Sequence, residues 1–176
     1  MNLKLKRTPG IYLVGFMGCG KSTVGRALAG RLGWSFFDID SEIEEAEDRS
    51  IAGIFAARGE AEFRRIETEA IGRRVARVEC GSPAVVALGG GAFAIESNRE
   101  LLEDNGITVW LDCPFEMVAR RVAGDPRRPL AQDPERFAGL YRSRIEGYRL
   151  ADVRIAIASD DPAAAVEAIL AHPLLK

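Results

Sequence analysis

The chain has 176 residues, with 24 basic and 26 acidic side chains and a formal net charge of −2. That balance does not favour a nucleic-acid backbone as partner, and a lone histidine, His172, argues against multi-histidine zinc sites and histidine-based triads. The length suggests one domain, 1–176, large enough for a real core, a hydrophobic fraction of 47% is ordinary for a globular protein, and no apolar run reaches the ~20 residues that span a bilayer. Cys19, Cys80 and Cys113 are odd in number and widely spaced, which fits no disulfide framework and points to a reducing cytoplasm. The basic start, Met1 to Arg7, runs on into glycines and Lys21, so it does not read as a signal peptide.

The first element is the short apolar run Ile11-Tyr12-Leu13-Val14, which reads as a buried strand. It leads into Gly15-Phe16-Met17-Gly18-Cys19-Gly20-Lys21-Ser22-Thr23. This matches G-x-x-x-x-G-K-[ST], the phosphate-binding loop. Glycines let backbone N–H groups curl inward around an anion. A helix starting near Lys21 aims its positive dipole end at the phosphates. Lys21 brings a mobile charge to the β- and γ-phosphates, and the Ser22 hydroxyl is a Mg²⁺ ligand. Gly33 should stop the helix.

Residues 35–40 read as a strand ending in Asp38 and Asp40. Alternate strand residues point the same way, and ligands of open α/β sheets lie beyond the strands' carboxyl ends. Both carboxylates should therefore face the phosphate crevice. One would hold Mg²⁺ through water while the other accepts a substrate hydroxyl proton. Ser41 with Glu44 reads as a capping box starting a helix. Ser50 caps a short helix, 51–58, closed by Gly59. Residues 60–78 form a long helix with Phe63, Ile66, Ala70 and Val75 inward.

Residues 83–88 are a buried strand that runs into Gly89-Gly90-Gly91, a place for backbone close to a ligand. A helix over 98–105 ends at Gly106, and 107–112 is another buried strand. Pro114 suits the first turn of a helix to about residue 121. The charged, proline-rich segment 124–132 is irregular and suits a mobile lid. Asp133-Pro134 opens a helix to 148, 153–157 is the last strand, and Asp161-Pro162 starts an alanine-rich final helix. The alternation implies an α/β fold with a mostly parallel sheet. Arg64, Arg121, Arg128 and Arg144 are candidate clamps for phosphate or carboxylate. Residue type alone does not choose among them.

Several short motifs then occur in order over nearly the whole chain. After the phosphate loop come Asp38-Ile39-Asp40, Ser50-Ile51, Ile54-Phe55, Gly59-Glu60, Phe63-Arg64-Arg65-Ile66-Glu67, Gly89-Gly90-Gly91, Arg128-Pro129-Leu130, Arg144 and Tyr148-Arg149. On these the sequence resembles the shikimate kinases, a nucleoside-monophosphate-kinase-like group. The loop is shared by many families, but the Asp-x-Asp, Phe-Arg and triple-glycine set is much more specific.

The resemblance implies a three-layer α/β/α P-loop fold with a five-stranded parallel sheet of order 2-3-1-4-5. It implies a cytoplasmic monomer that uses ATP and Mg²⁺ to phosphorylate the shikimate 3-hydroxyl in aromatic amino-acid biosynthesis, with neither nucleic acid nor membrane as partner. Lys21, Asp40 and Arg128 would be catalytic. Gly18, Cys19, Gly20, Lys21, Ser22 and Thr23 would cradle the nucleotide phosphates, with Arg121 and Pro162 flanking adenine. Ser22 and Asp38 would organise Mg²⁺. Asp40, Arg64, Gly89, Gly90, Gly91 and Arg144 would hold shikimate, beside a substrate-binding helical region at 41–72.

The sequence departs from the family at Cys19, where a small residue such as serine is common, at Ala131, and at Glu146-Gly147, where Pro-Leu is frequent. Two other readings compete. A kinase for another polyol such as gluconate leaves the Asp-x-Asp, Phe-Arg and triple-glycine set unexplained, and a regulatory module without turnover does not need Lys21, Ser22, Asp38, Asp40 and Arg128. For Cys19 both a reactive thiol at a helix N-terminus and a shielded, inert one stand open.

Overall fold

The computed structural model describes residues 10–125 and 132–175. Its strands are β1 (Gly10–Val14), β2 (Ser35–Asp38), β3 (Ala84–Ala87), β4 (Ile107–Asp112) and β5 (Val153–Ala156). They pair in parallel in the order β2-β3-β1-β4-β5, as expected. Leu13 of β1 sits opposite Ala87 of β3 and Val109 of β4. β1 and β3 are buried along their whole length. Helices cover both faces of such a sheet, which is why these strands are continuous apolar runs. β5, at the edge, instead alternates buried and exposed residues.

Seven α-helices complete the described residues: α1 (Lys21–Leu32), α2 (Ile39–Glu47), α3 (Ile51–Glu79), α4 (Glu96–Glu103), α5 (Phe115–Val122), α6 (Pro134–Tyr148) and α7 (Pro162–Ala171). α1 lies against α7, and α3 against α2 and α4. The polar residues read as punctuation mostly do that work. Gly33 closes α1 with its N–H on the Ala29 carbonyl. The side chains of Ser50, Asp133 and Asp161 accept backbone N–H groups at the starts of α3, α6 and α7. α3 breaks at Gly59 (φ 81°, ψ 172°), where the sequence puts the end of one helix and the start of the next.

The main departure lies after β2. The strand stops at Asp38, and α2 begins at Ile39 rather than after Ser41. Asp38 is the N-cap: its Oδ1 accepts from the N–H groups of Asp40 (3.1 Å) and Ser41 (3.3 Å). The Ser41–Glu44 capping box does not form, and Glu44 accepts instead from the Ile51 N–H at 2.8 Å. Asp40 is thus a first-turn helical residue, where a carboxylate is favoured by the helix dipole, and not the end of a strand. Elsewhere Pro114 caps α5 from just outside it, α4 starts at Glu96, and the 3₁₀ turn Ala92–Ala94 was not anticipated. The proposed lid falls mostly on residues 126–131, which lie outside the described ones.

Candidate functional site

At the carboxyl end of β1 the chain turns through the phosphate loop. Gly18 (φ 79°) and Gly20 (φ 99°) take left-handed conformations that only glycine adopts without strain. Gly20 is also the N-cap of α1. It offers no side-chain cap, and no acidic residue stands in the first turn. The first N–H groups of α1 thus lack both the side-chain partner and the local negative charge that usually satisfy a helix start. That is the arrangement that accepts an anion. Lys21 Nζ lies along the loop, donating to the carbonyls of Gly15 (2.7 Å) and Phe16 (3.1 Å). Phe16 is buried and packs on Phe137 and Tyr141 of α6, with ring centroids 5.2 and 5.3 Å apart. Cys19 is buried as well, at 1% exposure, the setting that the shielded reading describes.

Beyond the loop, Ser22 Oγ donates to Asp38 Oδ2 at 2.5 Å. The two oxygens expected to organise Mg²⁺ are therefore already together. Asp38 serves two ends at once, capping α2 with one oxygen and meeting Ser22 with the other.

Opposite stands the arginine expected to grip a carboxylate. Arg64 Nη1 donates to Glu67 Oε2 at 2.6 Å, and its guanidinium lies 5.2 Å from the Phe63 ring centre. A Cβ on Gly91 would collide with that guanidinium. Glu67 is 1% exposed, and its Oε1 has no hydrogen-bond partner among the described residues. Burial pushes the Glu67 carboxyl above its ordinary range; Arg64 opposes that shift, Asp40 adds to it, and Arg144 opposes it. Oε1 points at Gly89: a Cβ there would sit 2.5 Å from it and 2.8 Å from Asp40 Oδ1. Gly89 is bare because two carboxyl groups converge on it. Gly90 is held differently, its carbonyl accepting from the buried Tyr148 hydroxyl. Burial raises the pKa of that hydroxyl, which keeps it a donor.

The other flank is built by α5 and the turn before α7. Arg121 donates from Nε to Asp160 Oδ1 at 2.9 Å and from Nη1 to the Gly18 carbonyl at 3.2 Å. Asp160 and Pro162 line the same crevice as Lys21, Asp40, Arg64 and Arg144, a space of about 1470 Å³. That is ample for two substrates side by side.

Thus Gly18, Cys19, Gly20, Lys21, Ser22, Thr23, Asp38, Asp40, Arg64, Gly89, Gly90, Gly91, Arg121, Arg144 and Pro162 are brought to one crevice. Arg128 lies outside the described residues. Three contributors were not singled out as site residues. Glu67 carried a signal, standing one turn after Arg64. Tyr148 carried one only through the family motif. Asp160 had none, because its partner is 39 residues away.

Known proteins resemble this chain over most of its length. The family model for shikimate kinase matches residues 17–172. A shikimate kinase of Persephonella marina is 42% identical over 161 residues, covering 91% of this chain and 96% of that protein. Among solved structures, shikimate kinase from Acinetobacter baumannii in complex with shikimate superposes with a TM-score of 0.86 at 38% identity, over 93% of this chain and 92% of that one. Shikimate kinase from Aquifex aeolicus gives 0.80 at 34% identity, over 92% and 94%. This chain belongs to the shikimate kinase family.

Proposed function

We propose that this enzyme transfers the γ-phosphoryl group of ATP to the 3-hydroxyl of shikimate, giving ADP and shikimate 3-phosphate for aromatic amino-acid biosynthesis. The observation that carries the reading is the single crevice with an anion-accepting loop at its centre and the Arg64–Glu67, Asp40 and Gly89–Gly91 group on one side. The loop and the N-terminus of α1 would seat the phosphates, and Lys21 would meet the charge that builds on them. Arg64 and Arg144 would bind the shikimate carboxylate. Asp40 would take the hydroxyl hydrogen, orienting the attacking oxygen. Arg121 and Pro162 would border the base, and Arg128 would reach the phosphates.

Ser22 Oγ and Asp38 Oδ2 are hard oxygen donors already in contact, and they suit Mg²⁺. Held there by Ser22 and Asp38, the ion would supply positive charge against the phosphates as the phosphoryl group is transferred. Among the described residues no cluster of three or more His, Cys, Asp or Glu could hold a metal alone. A Mg²⁺ site completed by phosphates and water needs none. No helix of the described residues is long and apolar enough to cross a membrane. The free cysteines fit a cytoplasmic setting. Among the described residues only Leu150 and Leu174 are strongly exposed large apolar side chains, which fits a monomer.

The test is ADP release by the purified enzyme with ATP and Mg²⁺. Release should depend on shikimate and not on gluconate. Turnover on gluconate alone would put the chain with the other polyol kinases, and ATP consumption unaffected by either acid would sink the reading.

A further inference from the structure

The phosphate loop divides the crevice. The acceptor side carries Asp40, Arg64 and Gly89–Gly91, so the nucleoside must lie on the other side, where Arg121, Ile157, Ser159, Asp160 and Pro162 line the wall. There Arg121 makes its polar contacts along its edges. Nε and Nη2 approach Asp160 Oδ1 at 2.9 and 2.8 Å. Nη2 also donates to the Ser159 carbonyl at 3.4 Å, and Nη1 donates to the Gly18 carbonyl at 3.2 Å and to Cys113 Sγ at 3.6 Å. A guanidinium whose N–H groups are used in its own plane has its flat faces left for stacking. Gly20 lies beside it, where a Cβ would be 3.7 Å from Nη1, so the Nη1 end sits against the loop.

Of these partners one is charged. The Cys113 thiol is pushed up to about 11, mainly by burial, and stays neutral. Gly18 and Ser159 offer carbonyls. Asp160 is itself highly exposed, at 63% for the side chain, and is shared with Arg120, whose Nη2 reaches Oδ2 at 2.6 Å. An exposed ion pair adds little stability, so stability does not account for this arrangement. Arg120 is not on the crevice wall, whereas Arg121 is.

We propose that Asp160 is a positioning residue for nucleotide binding: it holds the Arg121 guanidinium edge-on, so that its face forms the platform for the nucleobase. The proposal rests on the ATP-dependent reading above. Without Asp160 the side chain keeps only neutral acceptors, the Gly18 and Ser159 carbonyls and Cys113 Sγ. Its charged fork is then free to turn towards solvent, and the stacking face is lost.

The test separates base, phosphate and acceptor. ADP and inorganic tripolyphosphate are titrated calorimetrically into wild type, Asp160→Ala, Asp160→Asn and Arg120→Ala, and KM is measured for both substrates. Removing a charge-assisted contact that orients the platform should weaken ADP binding by about 10-fold in Asp160→Ala, with a parallel rise in KM for ATP. Asp160→Asn, which keeps one acceptor oxygen, should fall between. Tripolyphosphate affinity, KM for shikimate and kcat at saturation should stay within about twofold, as should every value for Arg120→Ala, whose side chain lies off the wall. Unchanged ADP affinity in Asp160→Ala would overturn the proposal. So would an equal loss of tripolyphosphate binding, or an equal effect of Arg120→Ala, since either would make Asp160 a general surface charge. The titrations need no turnover. If wild type failed to phosphorylate shikimate, the functional reading would fall while the platform was still tested.

Discussion

Lys21 and Glu67 show two ways in which one residue can matter. Lys21 was legible from spacing alone, because a lysine after Gly-x-Gly at a helix start has one chemical use. Its Nζ rests on the Gly15 and Phe16 carbonyls, which hold it over the loop. On the proposed reading, Lys21→Ala removes the cation that meets transition-state charge, so turnover should fall at least ~100-fold while the thermal transition barely moves. Near-normal turnover would defeat its assigned role. Glu67 was legible only as a neighbour of Arg64. Its 1% exposure, and an Oε1 without a hydrogen-bond partner among the described residues, depend on how α2, α3 and the glycine turn close together, which no local pattern encodes. Its folded pKa is raised, chiefly by burial. Folding therefore shifts the balance towards the protonated form relative to the unfolded chain. The stability Glu67 contributes is full below the unfolded glutamate value, 4.5, and is lost as pH rises through the raised folded value. Glu67→Gln mimics the protonated form. Urea unfolding of the two proteins should show wild type losing stability relative to Glu67→Gln as pH increases from that value. A gap that stays constant or moves the opposite way would show that Arg64 outweighs burial.

At the scale of elements, the sequence and the structure agree where a pattern is long. Continuous apolar runs gave the central strands, and Gly33, Ser50, Asp133 and Asp161 marked helix ends by hydrogen-bond chemistry that is local. They part at α2 because two local solutions competed. Ser41 could cap a helix, but Asp38, three residues earlier, caps it instead and also meets Ser22. A capping rule reads the residues near a helix start and cannot see a hydroxyl sixteen residues away. Helix packing gives a sharper contrast. A Cβ on Gly25 of α1 would run into the Phe36 ring of β2 and lie 3.1 Å from Leu13 of β1, whereas one on Gly30 meets nothing within 4 Å. Gly25→Ala should therefore cost about 1–3 kcal/mol by overpacking. Gly30→Ala, which only adds helix propensity, should gain about 0.5–1 kcal/mol. In a chain of this length the thermal midpoint should move about 2–4 °C per kcal/mol, down for the first and up for the second. Equal shifts would mean that α1 does not press on the sheet at Gly25.

At the scale of the molecule, the crevice follows from topology. β1 and β3 are neighbours whose loops, the phosphate loop and Gly89–Gly91, leave at the same carboxyl edge, and helices from distant parts of the chain close the two sides. α3 and α6 bring Arg64 and Arg144 to the proposed acceptor side, while α5 and the turn before α7 bring Arg121 and Asp160 to the proposed nucleoside side. Only the family motifs made the proposed partition readable. The contacts within each side were not, because they join residues far apart in sequence. The described polar partners of the two sides are separate: Arg64 pairs with Glu67 and Glu60, and Asp160 pairs with Arg121 and Arg120. Arg64→Lys keeps the charge but loses the bidentate fork, so it should raise KM for shikimate by an amount worth roughly 1–3 kcal/mol and leave KM for ATP nearly unchanged. Sites with no shared partner add to within about 0.5 kcal/mol. The double variant Arg64→Lys with Asp160→Ala should therefore carry both KM increases undiminished, each confined to its own substrate. A rise in KM for ATP from Arg64→Lys alone would mean that the acceptor side reaches across the loop. A double variant departing from additivity by more than about 1 kcal/mol would mean that the two sides report to one shared element, and Gly18–Ser22, which separates them, would be the place to look.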